Sequence, residues 1–268
     1  MKDFSREMDV AHRLAFQVGN MIMVYYRNGA TIAIKDDKTP VTEADLAANQ
    51  MLVEGIQHAF PEDSIVSEEI GTITAGLRTW YIDPIDGTKG FIRKNGEFAI
   101  HIGLCLEHAP VLGVVYHPPT RTWYLGIAGQ GAYREQNGQR QTLQVTPSQG
   151  IEKIIQGKRY KKGRRIKSVL KALQGPELVS SGSEGLRLMY LAENKADIHM
   201  NEEMHHCSTW DLCAPQAVLE AAGGIIKFLD GTAISYQGQR KLNNYFLAAR
   251  DQKTFDKAQN LLRYLLDT

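Results

Sequence analysis

Apolar residues recur at helical spacing from Asp3 to about Tyr26, where Val10, Leu14, Val18, Met21, Ile22 and Tyr25 form one stripe and Asn28-Gly29 supplies a stop. The pattern predicts a packing helix. Thr31 to Ile34 reads as a short extended segment leading into the polar loop Lys35 to Pro40. Val41-Thr42-Glu43-Ala44-Asp45 opens a second helix reaching about Phe60, with Thr42 and Asp45 at the spacing of an N-terminal cap. Between Trp80 and Tyr124 the pattern changes to strands, Trp80 to Asp83, Ala99 to Leu106, Val111 to Tyr116 and Thr122 to Leu125, separated by turns that contain Gly and Pro. After about Gly150, strands near Ile151 to Ile155, Leu178 to Ser180, Asp197 to Met200 and Ile225 to Phe228 alternate with helices near Ile166 to Leu173, Gly185 to Glu193 and Asp211 to Ala222. Such alternation implies a layered α/β half. With no internal repeat or low-complexity linker, the expectation is one domain over 1–268. An N-terminal α+β half (about 1–150) would meet a C-terminal α/β half (about 151–268) within Gln130 to Gly150.

Composition narrows the classes of function. A chain of 268 residues with 43% hydrophobic residues can bury a large core. Its net charge of +1 offers no general affinity for nucleic acid or for a membrane. The start, Met1 to Arg6, is polar, and no apolar run has transmembrane length, so a cytoplasmic location is expected. Cys105, Cys207 and Cys213 form no C-x-x-C pair, and an odd count makes a poor disulfide framework, so free thiols are expected.

The candidate chemistry sits in W-Y-I-D-P-I-D-G-T-K-G-F, residues 80–91. Asp83 and Asp86 flank Pro84, and Gly87-Thr88 offers backbone N–H groups and a hydroxyl directly after the second carboxylate. Alone, the segment reads equally as an exposed turn. Ser67-Glu68-Glu69 one short loop upstream and Thr209-Trp210-Asp211 at the head of a later apolar helix shift the balance. Four carboxylates in one pocket would repel each other by about 4 kcal/mol per close pair at an effective dielectric near 20, so a cation is needed. Oxygen-only ligands suit a hard ion, and magnesium favours octahedral oxygen coordination. Two such ions could clamp the attacking and leaving oxygens of a phosphoryl displacement, which predicts a phosphatase. Asp45 has two readings, simple helix capping or a place beside the metals.

The set V-T-E-A-D (41–45), S-E-E (67–69), D-P-I-D-G-T (83–88) and W-D-x-x-A-P with A-A-G-G (210–224) resembles the inositol monophosphatase superfamily in order and spacing, over most of the chain. The run D-G-T-K-G-F-I-R-K-N-G-E-F (86–98) is most similar to its 3'(2'),5'-bisphosphate nucleotidase branch. The resemblance implies a layered αβαβα sandwich and two magnesium ions, with a third, weaker ion held through waters near Glu68. Glu68, Asp83 and the carbonyl of Ile85 would hold one ion, and Asp83, Asp86 and Asp211 another. Asp45 and Thr88 would orient and deprotonate the attacking water, and Glu68 would share in that catalysis. The phosphate would rest on Gly87 and Thr88, with Lys89 and Arg187 as further substrate contacts. Lithium sensitivity is implied as well, and since similar proteins are commonly dimers, a homodimer is an expectation.

The activity expected from this resemblance is magnesium-dependent hydrolysis of 3'-phosphoadenosine 5'-phosphate to AMP and phosphate by a metal-activated water. Hydrolysis of inositol-1-phosphate or a related sugar phosphate is the alternative, and a non-catalytic nucleotide- or RNA-binding relative is a second. The segment Ser181 to Arg187 corresponds to the nucleotide-facing run, but Glu184 stands where the family has a small residue, and its charge could repel a second phosphate. The basic run Lys158 to Arg165 reads equally as a solvated loop or as a partner for that phosphate. One short run without interleaved aromatics argues against nucleic acid. His205-His206-Cys207 reads as a structural loop rather than a zinc site, and Trp210 as a packing residue that fixes the start of the Asp211 helix.

Overall fold

The computed structural model of the chain describes residues 2–36, 39–74, 76–157, 164–201, 207–237, 240–242 and 244–263. Helix α1 (Ser5–Asn28) buries Val10, Leu14, Val18 and Ile22, the stripe expected from its spacing, and packs beside α2 (Glu43–Ala59). Between them a short hairpin, β1 (Ile32–Ile34) and β2 (Pro40–Thr42), leads the chain into the Thr42 cap.

Both helices cover one face of an eight-stranded sheet made of β3 (Ser64–Ser67), β4 (Gly71–Ile73), β5 (Arg78–Asp86), β6 (Ala99–Leu106), β7 (Ala109–His117), β8 (Thr122–Ile127), β9 (Gly131–Gln136) and β10 (Gln139–Leu143). The strand order is β10-β9-β8-β7-β6-β5-β3-β4, antiparallel except for the parallel pair β3 and β5. A five-residue helix α3 (Thr88–Ile92) follows β5. The period of two sorts β6 cleanly: Ile100, Ile102 and Leu104 join the core under α1 and α2, while Ala99 and Cys105 join the core on the other face.

The C-terminal residues build a second, five-stranded sheet from β11 (Lys153–Gln156), β12 (Glu177–Ser180), β13 (Ile198–Met200), β14 (Ile225–Phe228) and β15 (Phe246–Ala249), in the order β12-β11-β13-β15-β14. Helices α5 (Glu184–Ala192) and α6 (Thr209–Ala221) lie between the two sheets, in a core that draws residues from both. Helices α4 (Arg164–Ala172) and α7 (Gln252–Leu262) contribute to a third core on the far side of the second sheet. The result is a layered αβαβα sandwich, as the resemblance implies.

The seat of α6 is written in three glycines. Gly103, Gly113 and Gly126 stand opposite one another across β6, β7 and β8. A Cβ on Gly103 would lie 2.5 Å from the Cys213 sulfur, on Gly113 2.1 Å from the Ala214 carbonyl oxygen, and on Gly126 2.6 Å from the Val218 Cα. The missing side chains let the helix lie directly on the sheet, at a separation that ordinary packing does not allow.

Several strands are not marked by the spacing. Residues 130–150 hold, besides the passage from β10 toward β11, a hairpin of β9 and β10 at the edge of the large sheet, with Asn137 (φ 53°) and Gly138 (φ 74°) in its turn. Asn-Gly with both φ positive is a signal for the tight hairpin turn; the flanking Arg134-Glu135-Gln136 and Gln139 to Thr142 carry no apolar alternation to mark them as strands. The strands β3, β4 and β15 also went unpredicted, each being only three or four residues long. Residues Lys158 to Gly163 of the basic run and the pair His205-His206 lie outside the described residues, and no helix among the described residues is long and apolar enough to cross a membrane.

Candidate active site

Residues three apart on a regular strand face opposite sides of the sheet, so Asp83 and Asp86 can aim at one point only where the strand is irregular. The register of β5 against β6 slips between these two residues. Pro84 supplies the cause, since it has no N–H to give to the ladder and favours a bulge. Asp83 is buried and accepts the Ile85 N–H at 3.0 Å. Asp86 points at the start of α5, where it accepts from the Glu184 N–H at 3.1 Å, the Gly185 N–H at 2.8 Å and the Ser183 hydroxyl at 2.5 Å. Asp211 enters from the first turn of α6 and accepts the Ser208 N–H at 2.6 Å. One oxygen from each of Asp83, Asp86 and Asp211 lies within 4.8 Å of the others.

Burial and mutual repulsion shift Asp83, Asp211 and the neighbouring Glu69 upward. Burial, then Glu68, Asp86 and Asp211, raises Asp83 well above the usual carboxylate range. Burial and then Asp86 push Asp211 up to about 8, against the opposing Ser208 N–H. Burial and Glu68 push Glu69 up to about 7 although Lys35 opposes the shift. Several buried acids with raised pKa values, all offering oxygen, fit a group able to hold a hard divalent cation.

Glu68 stands apart from the other three acids. Its Oε1 lies 2.8 Å from the Lys35 ammonium, which also reaches Glu69 at 2.6 Å, and Glu68 is not part of the close acidic group. The local device is the parallel pairing of β3 with β5, which brings the ends of both strands to the same edge of the site.

Asp45 caps α2 and also reaches Thr88. Its Oδ2 accepts the Thr42 N–H at 2.8 Å and the Thr42 hydroxyl at 2.5 Å, closing the cap of α2, and its Oδ1 faces the Thr88 hydroxyl at 3.2 Å. The Thr88 hydroxyl is also 3.2 Å from the Ile85 carbonyl oxygen, so Thr88 stands between Asp45 and the bulge. Gly87 has a positive φ of 97°, and a Cβ there would lie 2.4 Å from the Glu97 carbonyl oxygen. Only glycine meets both conditions.

Glu68, Gly87, Thr88, Lys89 and Asp211 line a cleft of about 530 Å³, within the ordinary range for small-molecule sites. Arg187 does not line it. It is 7% exposed, bonds Glu184 at 2.7 Å and donates from Nε to the Ser183 carbonyl at 3.2 Å. Glu184 stays ionised and is paired with a cation: against the upward push of burial, Arg187, His199 and His101 hold it down to about 2. The charge of Glu184 is therefore offset by Arg187 beside it.

Sequence reasoning missed Lys35, His101, Arg240 and Lys241, and it placed Ser183 in the Ser181 to Arg187 run without its bond to Asp86. His101, fully buried on β6, brings Nε2 to 3.3 Å from the Asp86 carboxylate. Its facing toward the site follows from strand parity, which was readable once Asp83 was placed opposite it. Ser183 was readable too, as a helix cap directly before α5. Arg240 and Lys241 also line the cleft but belong to no local pattern, and only the folded chain brings them there.

The model of the inositol monophosphatase family matches residues 4–263. The "3'(2'),5'-bisphosphate nucleotidase CysQ" of Aggregatibacter actinomycetemcomitans is 31% identical over 86% of this chain and 87% of its own. The protein of the same name from Salmonella typhimurium is 32% identical over 87% of this chain and 94% of its own. Among solved structures, inositol monophosphatase from Anabaena covers all of this chain and 98% of its own at 26% identity and a TM-score of 0.77. The suhB protein of Bartonella henselae, at 21% identity, shares the fold over 97% of this chain and 99% of its own with a TM-score of 0.83. With the family's model matching 4–263 and relatives of 31–32% identity covered over most of their length, the chain belongs to the inositol monophosphatase family and is a phosphoric monoester hydrolase.

Proposed function

We propose that the chain is a magnesium-dependent phosphomonoesterase that hydrolyses 3'-phosphoadenosine 5'-phosphate to AMP and phosphate. The observation that carries this reading is the cluster of Asp83, Asp86 and Asp211, of which Asp211 lines a cleft shared with Glu68, Lys89, Arg240 and Lys241. Acids for a cation and cations for an anion then stand in one small site. The printed names of relatives about 31% identical support the choice of substrate.

Glu68, Asp83, Asp86, Asp211 and the Ile85 carbonyl would hold two magnesium ions. Magnesium bound there would make a water acidic enough to attack and would offset the charge that develops on the phosphoryl oxygens. The chain's own groups do the rest. Gly87, Thr88 and Lys89 hold the phosphate. Thr88 fixes the attacking water through its hydroxyl, with Asp45 keeping that hydroxyl in place. Asp45, whose pKa burial raises, is suited to receive the proton as the water oxygen bonds to phosphorus and the ester bond to the 3' oxygen breaks.

Inositol-1-phosphate is the second reading, favoured by the likeness to the Anabaena inositol monophosphatase. The pairing of Glu184 with Arg187 favours the first, because it offsets a charge that would otherwise oppose a second phosphate. The test is release of inorganic phosphate from 3'-phosphoadenosine 5'-phosphate with magnesium and after chelation. Loss on chelation and recovery on adding magnesium are expected, whereas turnover that persists in the chelated protein contradicts the proposal.

A further inference from the structure

We propose that Lys241, braced by Arg240, forms the subsite for the second phosphate of the substrate, the one remote from the ester that is cleaved. The inference rests on the bisphosphate reading above and adds the residues that would enforce it.

The position of this pair is fixed by backbone. Ser208 bridges Lys241 in antiparallel fashion, the Thr209 N–H donates to the Arg240 carbonyl at 3.1 Å, and the Leu242 N–H donates to the Cys207 carbonyl at 3.0 Å. The pair is therefore zipped to the residues just ahead of Asp211. Arg240 is further held by its guanidinium, which lies 4.8 Å from the centre of the Trp210 ring and donates to the Glu68 carbonyl at 3.1 Å. This one side chain ties the loop of Glu68 to the helix of Asp211, and among the described residues its partners are carbonyls and a ring rather than carboxylates.

Other cations near the site are already engaged. Lys35 sits on Glu68 and Glu69, and Arg187 on Glu184. Lys241 is exposed on the cleft, 5.9 Å from the Trp210 ring centre, and forms no ion pair among the described residues. Lys89 is likewise unpaired among them, but it follows Thr88 directly and belongs with the phosphate that reacts. Trp210 is the one aromatic among the described residues that line the cleft, and Arg240 covers it. This wall therefore offers a ligand charge rather than a face for stacking a base. An unpaired ammonium beside a fixed guanidinium suits a dianionic group, which charge-assisted hydrogen bonds hold most strongly.

The test compares kcat/KM for adenosine 3',5'-bisphosphate with that for adenosine 3'-monophosphate, in magnesium, for the wild type, Lys241→Ala and Lys241→Arg. The wild type is expected to favour the bisphosphate. Lys241→Ala should shrink that preference about ten- to a hundred-fold, mostly through KM, and Lys241→Arg should restore much of it. Lys241 is exposed, so a thermal melt of Lys241→Ala should match the wild type and exclude misfolding as the cause. A wild-type preference that Lys241→Ala leaves intact overturns this subsite while the substrate reading stands. A wild type with no preference overturns both.

Discussion

Asp211 concentrates the tension of the site in one residue. Its carboxyl is pushed up to about 8 by burial and by Asp86, so in the metal-free protein its proton helps hold the fold together. A carboxyl whose folded pKa exceeds its unfolded value, about 3.9, stabilises the fold fully below that value and loses the effect as pH rises through the folded pKa. The metal-free protein should therefore melt at progressively lower temperature as pH rises from about 4 through about 8, and Asp83, raised for the same reasons, adds to the trend. Asp211→Asn keeps an acceptor for the Ser208 N–H and removes the charge. Melting curves of the metal-free variant should show a flatter pH dependence than the wild type, with no lower melting temperature at the alkaline end. Turnover by the same variant in magnesium should fall by orders of magnitude, since a neutral amide is a poor ligand for a hard cation. A variant that melts like the wild type at every pH, or that retains turnover within a few-fold, would show that Asp211 does not carry the charge assigned to it.

Among the elements, α6 decides whether the acids meet at all, because it alone brings Asp211 to the strand that carries Asp83 and Asp86. Its position depends on the glycine row, where a methyl on Gly113 would lie 2.1 Å from the Ala214 carbonyl oxygen, a backbone atom with little room to yield. Gly113→Ala should cost about 1–3 kcal/mol as an overpacking substitution and should lower kcat as well, by displacing Asp211. Gly150 is the control, since a Cβ there meets nothing within 4 Å. Urea unfolding and phosphate release of Gly113→Ala beside Gly150→Ala measure both effects. Equal stability and equal activity in the two variants would refute the close seat of α6. The bulge in β5 is the other decisive element, and it was only half legible: Pro84 marks an irregular strand, but that the irregularity turns two carboxylates to one side depends on the pairing with β6.

Across the whole molecule, legibility followed sequence distance. The stripe of α1, the cap of α2, the span of β6 and the alternation after residue 150 are local patterns, and each appears in the folded chain where the spacing puts it. The acids were legible because their motifs are short. Lys35 on Glu68, His101 beside Asp86, Arg187 turned inward to Glu184 and Arg240 over Trp210 are pairings across many residues that no local pattern encodes. The fold places one buried acidic centre between the edge of a large sheet and two helices of the middle layer, and the lining of the same cleft bears unpaired positive charge. On the proposed reading an inositol monophosphate would present one phosphate to the acids and leave that charge without a partner, whereas a bisphosphate nucleotide would engage both. The most direct measurement is a side-by-side kcat/KM in magnesium for 3'-phosphoadenosine 5'-phosphate and inositol-1-phosphate. The nucleotide should be preferred by about ten-fold or more, the worth of one charge-assisted contact; equal rates, or a preference for inositol-1-phosphate, would contradict the account.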